Sequence, residues 1–296
     1  MDHAKHVVDG WNKDIAPTEF YDDAVQRLLD LAGDWKDPYP DPVVAVHDGI
    51  HVVRDDMLAA GTKQRGGALF MERMESDTVV YVQPRVGLAG VSILEAAKLY
   101  GKKVVLFMPA SKRISLHQAC TIERGAVPMF KRIAAMPVLN AAAKKWAEEN
   151  GAAFVPLGLK HPLVTAAIMK AAMKIPAPDV AYVATSTGVL TRSLQLAWKK
   201  TEFVSVCVAR NMKAGELGRA TPITYPLEFA KPAPLSMQPP FPTVPTYDAK
   251  VWQYAVEGHH EVGGEESADV LMWNVGKEPV LQDETLPDRI DSRRNW

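Results

Sequence analysis

The sequence has only two cysteines, Cys120 and Cys207, far apart and each within an apolar or helical stretch. That excludes a disulfide framework and a CxxC metal pair, and it fits a reducing compartment. No stretch approaches 18 consecutive apolar residues, so nothing is expected to span a membrane. The opening Met-Asp-His-Ala-Lys-His lacks the apolar core of a signal peptide, and the expected location is the cytoplasm. Net charge is nearly absent: 34 Lys and Arg stand against 35 Asp and Glu, leaving −1. No whole-molecule field therefore draws the chain onto nucleic acid or a membrane. Internal repeats and low-complexity runs are missing too. What is present is ordinary for a folded enzyme-sized protein: 296 residues, 47% hydrophobic and 23% charged. That composition excludes disorder and coiled coil, and the length suggests about two domains.

Between Thr78 and Arg210 the hydrophobic pattern alternates between two periods. Short β-branched and aromatic runs at Thr78–Val82, Lys103–Met108, Val127–Phe130, Ala153–Leu157, Val180–Ala184 and Val204–Val208 read as buried strands. Helical stretches lie between them at Leu88–Tyr100, Leu116–Arg124, Val138–Asn150, Pro162–Lys174 and Val189–Lys200. Gly101, Gly125 and Gly151 stand where helix C-caps belong. This alternation predicts an α/β fold with parallel, helix-covered sheets and ligands at the carboxyl ends of the strands. A strand pair is expected near Val43–Val46 and His51–Arg54, and a last strand at Asp269–Trp273. Seven prolines between Pro226 and Pro245 exclude regular structure there, and the polar tail from Gln282 is expected to fray.

Several segments have the chemistry of a site. Gly87-Leu88-Ala89-Gly90 turns from a strand into a helix, but the full G-x-G-x-x-G dinucleotide fingerprint is missing. Thr185-Ser186-Thr187-Gly188 opens a helix with three hydroxyls and a glycine, which suits either a phosphate or simple N-capping. No Walker lysine follows, and no G-x-S-x-G elbow exists. In Gly61-Thr62-Lys63-Gln64-Arg65-Gly66 a lysine sits among small residues beside a second cation, a setting in which an amine can act as a nucleophile. His259-His260-Glu261 reads as exposed rather than metal-binding, since adjacent histidines on a strand point apart. Tyr225, Tyr247 and Tyr254 are pocket-lining candidates on position alone.

The stretch from Arg54 to Gly66, Arg-Asp-Asp-Met-Leu-Ala-Ala-Gly-Thr-Lys-Gln-Arg-Gly, resembles the cofactor-lysine segment of fold-type II pyridoxal-phosphate (PLP) enzymes. It is most similar to the 1-aminocyclopropane-1-carboxylate deaminase and D-cysteine desulfhydrase branch, and it echoes the threonine dehydratases. The resemblance runs from about Val43 to Gly276. It implies two three-layer α/β domains with parallel-rich sheets: a larger PLP-binding one from 1–69 and 160–296, and a smaller substrate-side one from 70–159. It implies Lys63 as the Schiff-base lysine, and Thr185, Ser186, Thr187 and Gly188 as the phosphate cup. Asn274 stands where the last strand meets the pyridine nitrogen, in place of the common Ser or Thr. The family's carboxylate-gripping Ser-x-Gly-Asn turn reads Gln83-Pro84-Arg85-Val86-Gly87 here. In this turn Gln83 is a candidate for the ring oxygen, and Arg85 with Gly87 for a substrate carboxylate.

The implied activity is a PLP-dependent lyase on an amino acid or amino-acid-bearing substrate, by elimination with deamination or by decarboxylation. One alternative is a PLP enzyme of bacteriophage DNA hypermodification acting on an amino-acid-modified thymidine, although the net charge does not indicate tight nucleic-acid binding. Another is a non-catalytic descendant that binds PLP or an amino acid. A homodimer is expected from the family habit.

Overall fold

The computed structural model describes residues 21–132, 135–212, 216–261 and 268–293. Among these described residues ten strands alternate with helices and sort into two sheets. Strands β1 (Val44–His47) and β2 (Ile50–Arg54) form a hairpin about Asp48 and Gly49, both at positive φ. That backbone matches the twist of the flanking strands in a two-residue turn. β3 (Thr78–Val82), β4 (Lys103–Pro109), β5 (Val127–Lys131) and β6 (Ala153–Phe154) follow. Then come β7 (Val180–Thr185), β8 (Glu202–Cys207), β9 (Thr221–Thr224) and β10 (Val270–Asn274). The chain divides into two compact units: the described residues up to Thr62 with His161–Glu278, and Lys63–Lys160 with the chain from Pro279.

The first unit has the sheet order β1-β2-β10-β7-β8-β9, with every neighbouring pair parallel except β1 with β2. β10 is buried at all five positions because it lies inside a sheet covered on both faces. Ile50, Val52, Val206, Val251, Trp252 and Met272 pack together on one side. Two of the unit's helices, Tyr21–Ala32 and Ala249–Glu261, are not announced by the sequence pattern. In the second of these, Val251, Trp252 and Ala255 are buried on one face. Gly258 lies against Tyr182, where an added Cβ would meet the ring carbon Cζ at 2.7 Å. His259 and His260 therefore sit on a helix, not on the expected strand. β9 also goes unforeseen, since it contains Pro222; an edge strand tolerates the missing N–H.

The proline-rich stretch is irregular apart from a short 3-10 turn at Leu235–Met237. Lys250 ties it down: its buried amine donates to the carbonyls of Glu228 at 3.0 Å and Phe229 at 3.2 Å. The same amine lies over the Tyr225 ring, and burial lowers its pKa to about 8.

The second unit has the all-parallel order β5-β4-β3-β6. β4 is buried from Val104 to Pro109, as expected of a strand with helices on both faces. Val80, Val82, Val105, Phe107, Leu139 and Ala143 form one core. Helices Ala89–Leu99, Leu116–Glu123 and Met136–Glu149 are followed by Gly101, Gly125 and Gly151, all at positive φ, as the capping pattern predicts. The described part of the tail is tied down. The backbone N–H groups of Gln282 and Asp283 donate to the Glu123 carboxylate, and the Ser292 hydroxyl both donates to and accepts from the Ser111 backbone. Residues 279–293 thus belong with the second unit, whereas the sequence grouped them with 160–278. Among the described residues no helix is long and apolar enough to cross a membrane.

Candidate functional site

Lys63 is the second residue of the helix Thr62–Arg73 and is half-buried. The turn before it is held tightly within the first unit. Gly61 adopts φ 75°, and a side chain there would run into the carbonyl oxygen of Val275. The Thr62 backbone N–H donates to that same carbonyl at 2.8 Å. The Thr62 hydroxyl donates to Asp55 Oδ2 at 2.7 Å, and the Trp273 indole N–H approaches the same carboxylate oxygen at 3.1 Å. Asp55, Thr62 and Trp273 are all buried. Two chain segments, the 3-10 turn after β2 and the end of β10, therefore hold Gly61 and Thr62, the residues that precede the lysine.

Asn274, at the carboxyl end of β10, is also buried and heavily engaged. Its amide N–H groups donate to Asp56 Oδ1 and to the Pro242 carbonyl, each at 2.9 Å. Its Oδ1 accepts from the Thr243 hydroxyl at 3.2 Å. Arg54 grips Asp56 with two parallel hydrogen bonds of 2.8 and 2.9 Å, which offsets the buried negative charge and raises the guanidinium pKa. With both amide hydrogens committed, Asn274 has only an acceptor lone pair left to offer a ligand.

The Thr185–Gly188 turn divides into two parts. Thr185 is buried, and its hydroxyl lies 2.7 Å from that of Thr191 and 2.5 Å from that of Ser205. It therefore joins β7, the following helix and β8, and the expectation that it contacts a phosphate gives way to a packing role. Ser186 and Thr187 remain partly exposed at the start of helix Val189–Ala197. Gly188 has φ 77°, and a Cβ on it would lie 2.6 Å from the Glu216 carbonyl oxygen. Behind the turn, buried Arg192 donates from Nε to the Gly188 carbonyl at 3.1 Å; desolvation lowers its pKa to about 10 while Glu216 pulls it upward. The Tyr247 hydroxyl donates to the Ala184 carbonyl, and burial pushes that phenol up. Arg192 was missed in the sequence because an arginine four residues into a helix ordinarily faces solvent.

In the second unit Gln83 is wholly buried and belongs to its own turn. Its amide nitrogen donates to the carbonyls of Pro84 at 2.9 Å and Gly87 at 3.0 Å, and its Oε1 accepts from the Gly90 N–H at 2.9 Å. The expectation that it meets a cofactor oxygen gives way to this arrangement, which shapes the turn and caps the helix Ala89–Leu99. Arg85 is exposed, with one nitrogen 3.3 Å from the Arg113 carbonyl. Gly87 has φ 130° and open space where a side chain would be. Among the described residues no group of three or more His, Cys, Asp and Glu is arranged to hold a metal ion.

No family model matches the chain, and no curated protein matches it either. Solved structures do. An ACC deaminase homologue superposes with a TM-score of 0.70 at 16% identity, over 84% of this chain and 94% of that one. The apo diaminopropionate ammonia lyase of Escherichia coli gives 0.61 at 13% identity, over 86% and 88%. A threonine deaminase from T.th. gives 0.58 at 15% identity, over 94% and 99%. Likeness at such identities speaks to architecture: the chain has the fold of the fold-type II PLP-dependent enzymes.

Proposed function

We propose that the protein is a PLP-dependent enzyme acting on an amino acid or amino-acid-bearing substrate, in the manner of a lyase. The observation that carries this reading is the clamped Gly61-Thr62 turn, which presents a half-buried lysine from the first turn of a helix in this fold. The residues present fit the cofactor's phosphate. Ser186 and Thr187 are partly exposed, Ser186 also bonding Tyr247, Gly188 has no room for a side chain, and no side chain caps the helix that follows. When bound, PLP supplies an aldehyde that captures amino groups and a ring that accepts the electrons released when a bond at Cα or Cβ breaks.

This chain's own residues have narrower tasks. Ser186, Thr187 and Gly188 hold the phosphate. Lys63 Nζ would attach the cofactor and would move a proton on or off the reacting carbon. Asn274 would stand at the ring, and Arg85 would pair with a substrate carboxylate, with Gly87 leaving room for it.

Borohydride reduction of the protein incubated with PLP, followed by peptide mass mapping, tests the reading. The pyridoxyl group is expected on Lys63. A protein that takes up no PLP, or is labelled at another lysine, overturns it.

A further inference from the structure

A buried carboxylate is a costly way to close a strand end, since an apolar side chain of similar size would avoid its desolvation. Asp55 is nevertheless buried, and two donors that reach its Oδ2 come from residues that frame Lys63: Thr62, which precedes it, and Trp273, near the end of β10. The indole N–H also lies 2.9 Å from the Thr62 hydroxyl, so the three groups close a triangle. With hydroxyl and backbone N–H both committed, Thr62 has a fixed rotamer and a fixed backbone. The next residue is Lys63, where the chain passes from the first compact unit into the second. A side chain anchored one residue away inherits that definition, as a reactive amine requires.

We propose that Asp55 and Trp273 are positioning residues for the Lys63 amine, acting through the Thr62 hydroxyl. The inference rests on the reading of Lys63 as the PLP-binding lysine.

The test measures the rate at which PLP and borohydride label Lys63 in the full chain, at a temperature where every variant is folded. The variants are Thr62→Ser, Thr62→Val and Trp273→Phe. Thr201→Val serves as a control for lost stability, because it removes a buried hydroxyl that donates to the Pro178 carbonyl in the same unit. Thr62→Val is expected to slow labelling by about tenfold or more, since small misplacements of a reacting group have effects of this order. Thr62→Ser should stay within about twofold of wild type, and Trp273→Phe should lose about threefold. Thr62→Val labelled as fast as Thr201→Val overturns the inference, and so does equal loss in Thr62→Ser and Thr62→Val. Should Thr62→Val not fold, Trp273→Phe decides, and labelling at the wild-type rate overturns. Absence of label on Lys63 in the wild type defeats the functional reading itself, whereas a labelled wild type with indifferent variants defeats only the positioning role.

Discussion

The Trp273 indole N–H meets the Thr62 hydroxyl at 2.9 Å across 211 positions of sequence. The parallel pairing of β10 with β2 brings them together, with Trp273 opposite Val53 and Asn274 opposite Arg54. Register therefore decides that the end of β10 faces the turn leading into Lys63. A slip of one residue would exchange the two faces and replace the indole with the Met272 or Asn274 side chain.

The phosphate turn is expected to separate by function. Thr185→Val breaks the hydroxyl cluster with Thr191 and Ser205 and should cost about 1–3 kcal/mol of stability, with PLP affinity unchanged. Ser186→Ala and Thr187→Val should weaken PLP binding several-fold with less effect on stability. Denaturant titration alongside PLP titration distinguishes the two, and a large affinity loss in Thr185→Val would contradict the assignment.

Gln83→Leu should destabilise the second unit by roughly 2–4 kcal/mol, because the Gly90 N–H and the Pro84 and Gly87 carbonyls lose their partner. Urea unfolding measures this directly. A neutral substitution would mean that the turn holds its shape without the side chain.

Arg85 is exposed, so Arg85→Ala should leave the thermal midpoint unchanged. If the guanidinium reads a substrate carboxylate, binding of amino acids should weaken by about 10- to 150-fold, corresponding to roughly 1.5–3 kcal/mol. Spectral titration with amino acids, their carboxyl amides and amino-acid-modified nucleosides checks it. Equal losses for acids and amides would remove Arg85 from carboxylate recognition. A response to the nucleosides alone would point to a base-linked substrate.

Desolvation lowers the pKa values of His117 and His161 to about 4 from the ordinary 6.5. The unfolded chain therefore binds more protons than the native one between those values. Stability should be complete above pH 6.5 and fall as the pH drops toward 4, by up to roughly 3 kcal/mol per histidine. Denaturant unfolding at pH 7, 5.5 and 4.5 measures the slope. His117→Gln should flatten it, and a slope unchanged in that variant would assign the acid sensitivity elsewhere.

The six central strands and five intervening helices were legible because their signals are local: apolar runs of strand length, helical periodicity and capping glycines. Lys63 was singled out by the resemblance of the Arg54–Gly66 segment to a cofactor-lysine segment, since a lysine among small residues beside an arginine does not single itself out. The roles of Gln83 and Thr185 were not legible. Both residue types suit ligand contacts, and only the positions of Gly90, Thr191 and Ser205 show where their hydrogen bonds go. The helix Ala249–Glu261 was obscured by its histidine pair, and its apolar face acquires meaning only against Tyr182 and the sheet.

The sequence by itself determined the α/β alternation and a lysine set between glycines, because periodicity and backbone freedom depend on residues a few positions apart. The tertiary structure alone decided which polar groups are committed to the fold and which remain for a ligand. A buried donor or acceptor must find a partner, and for Asp55, Asn274 and Thr185 at least one partner arrives from another strand or helix far along the chain.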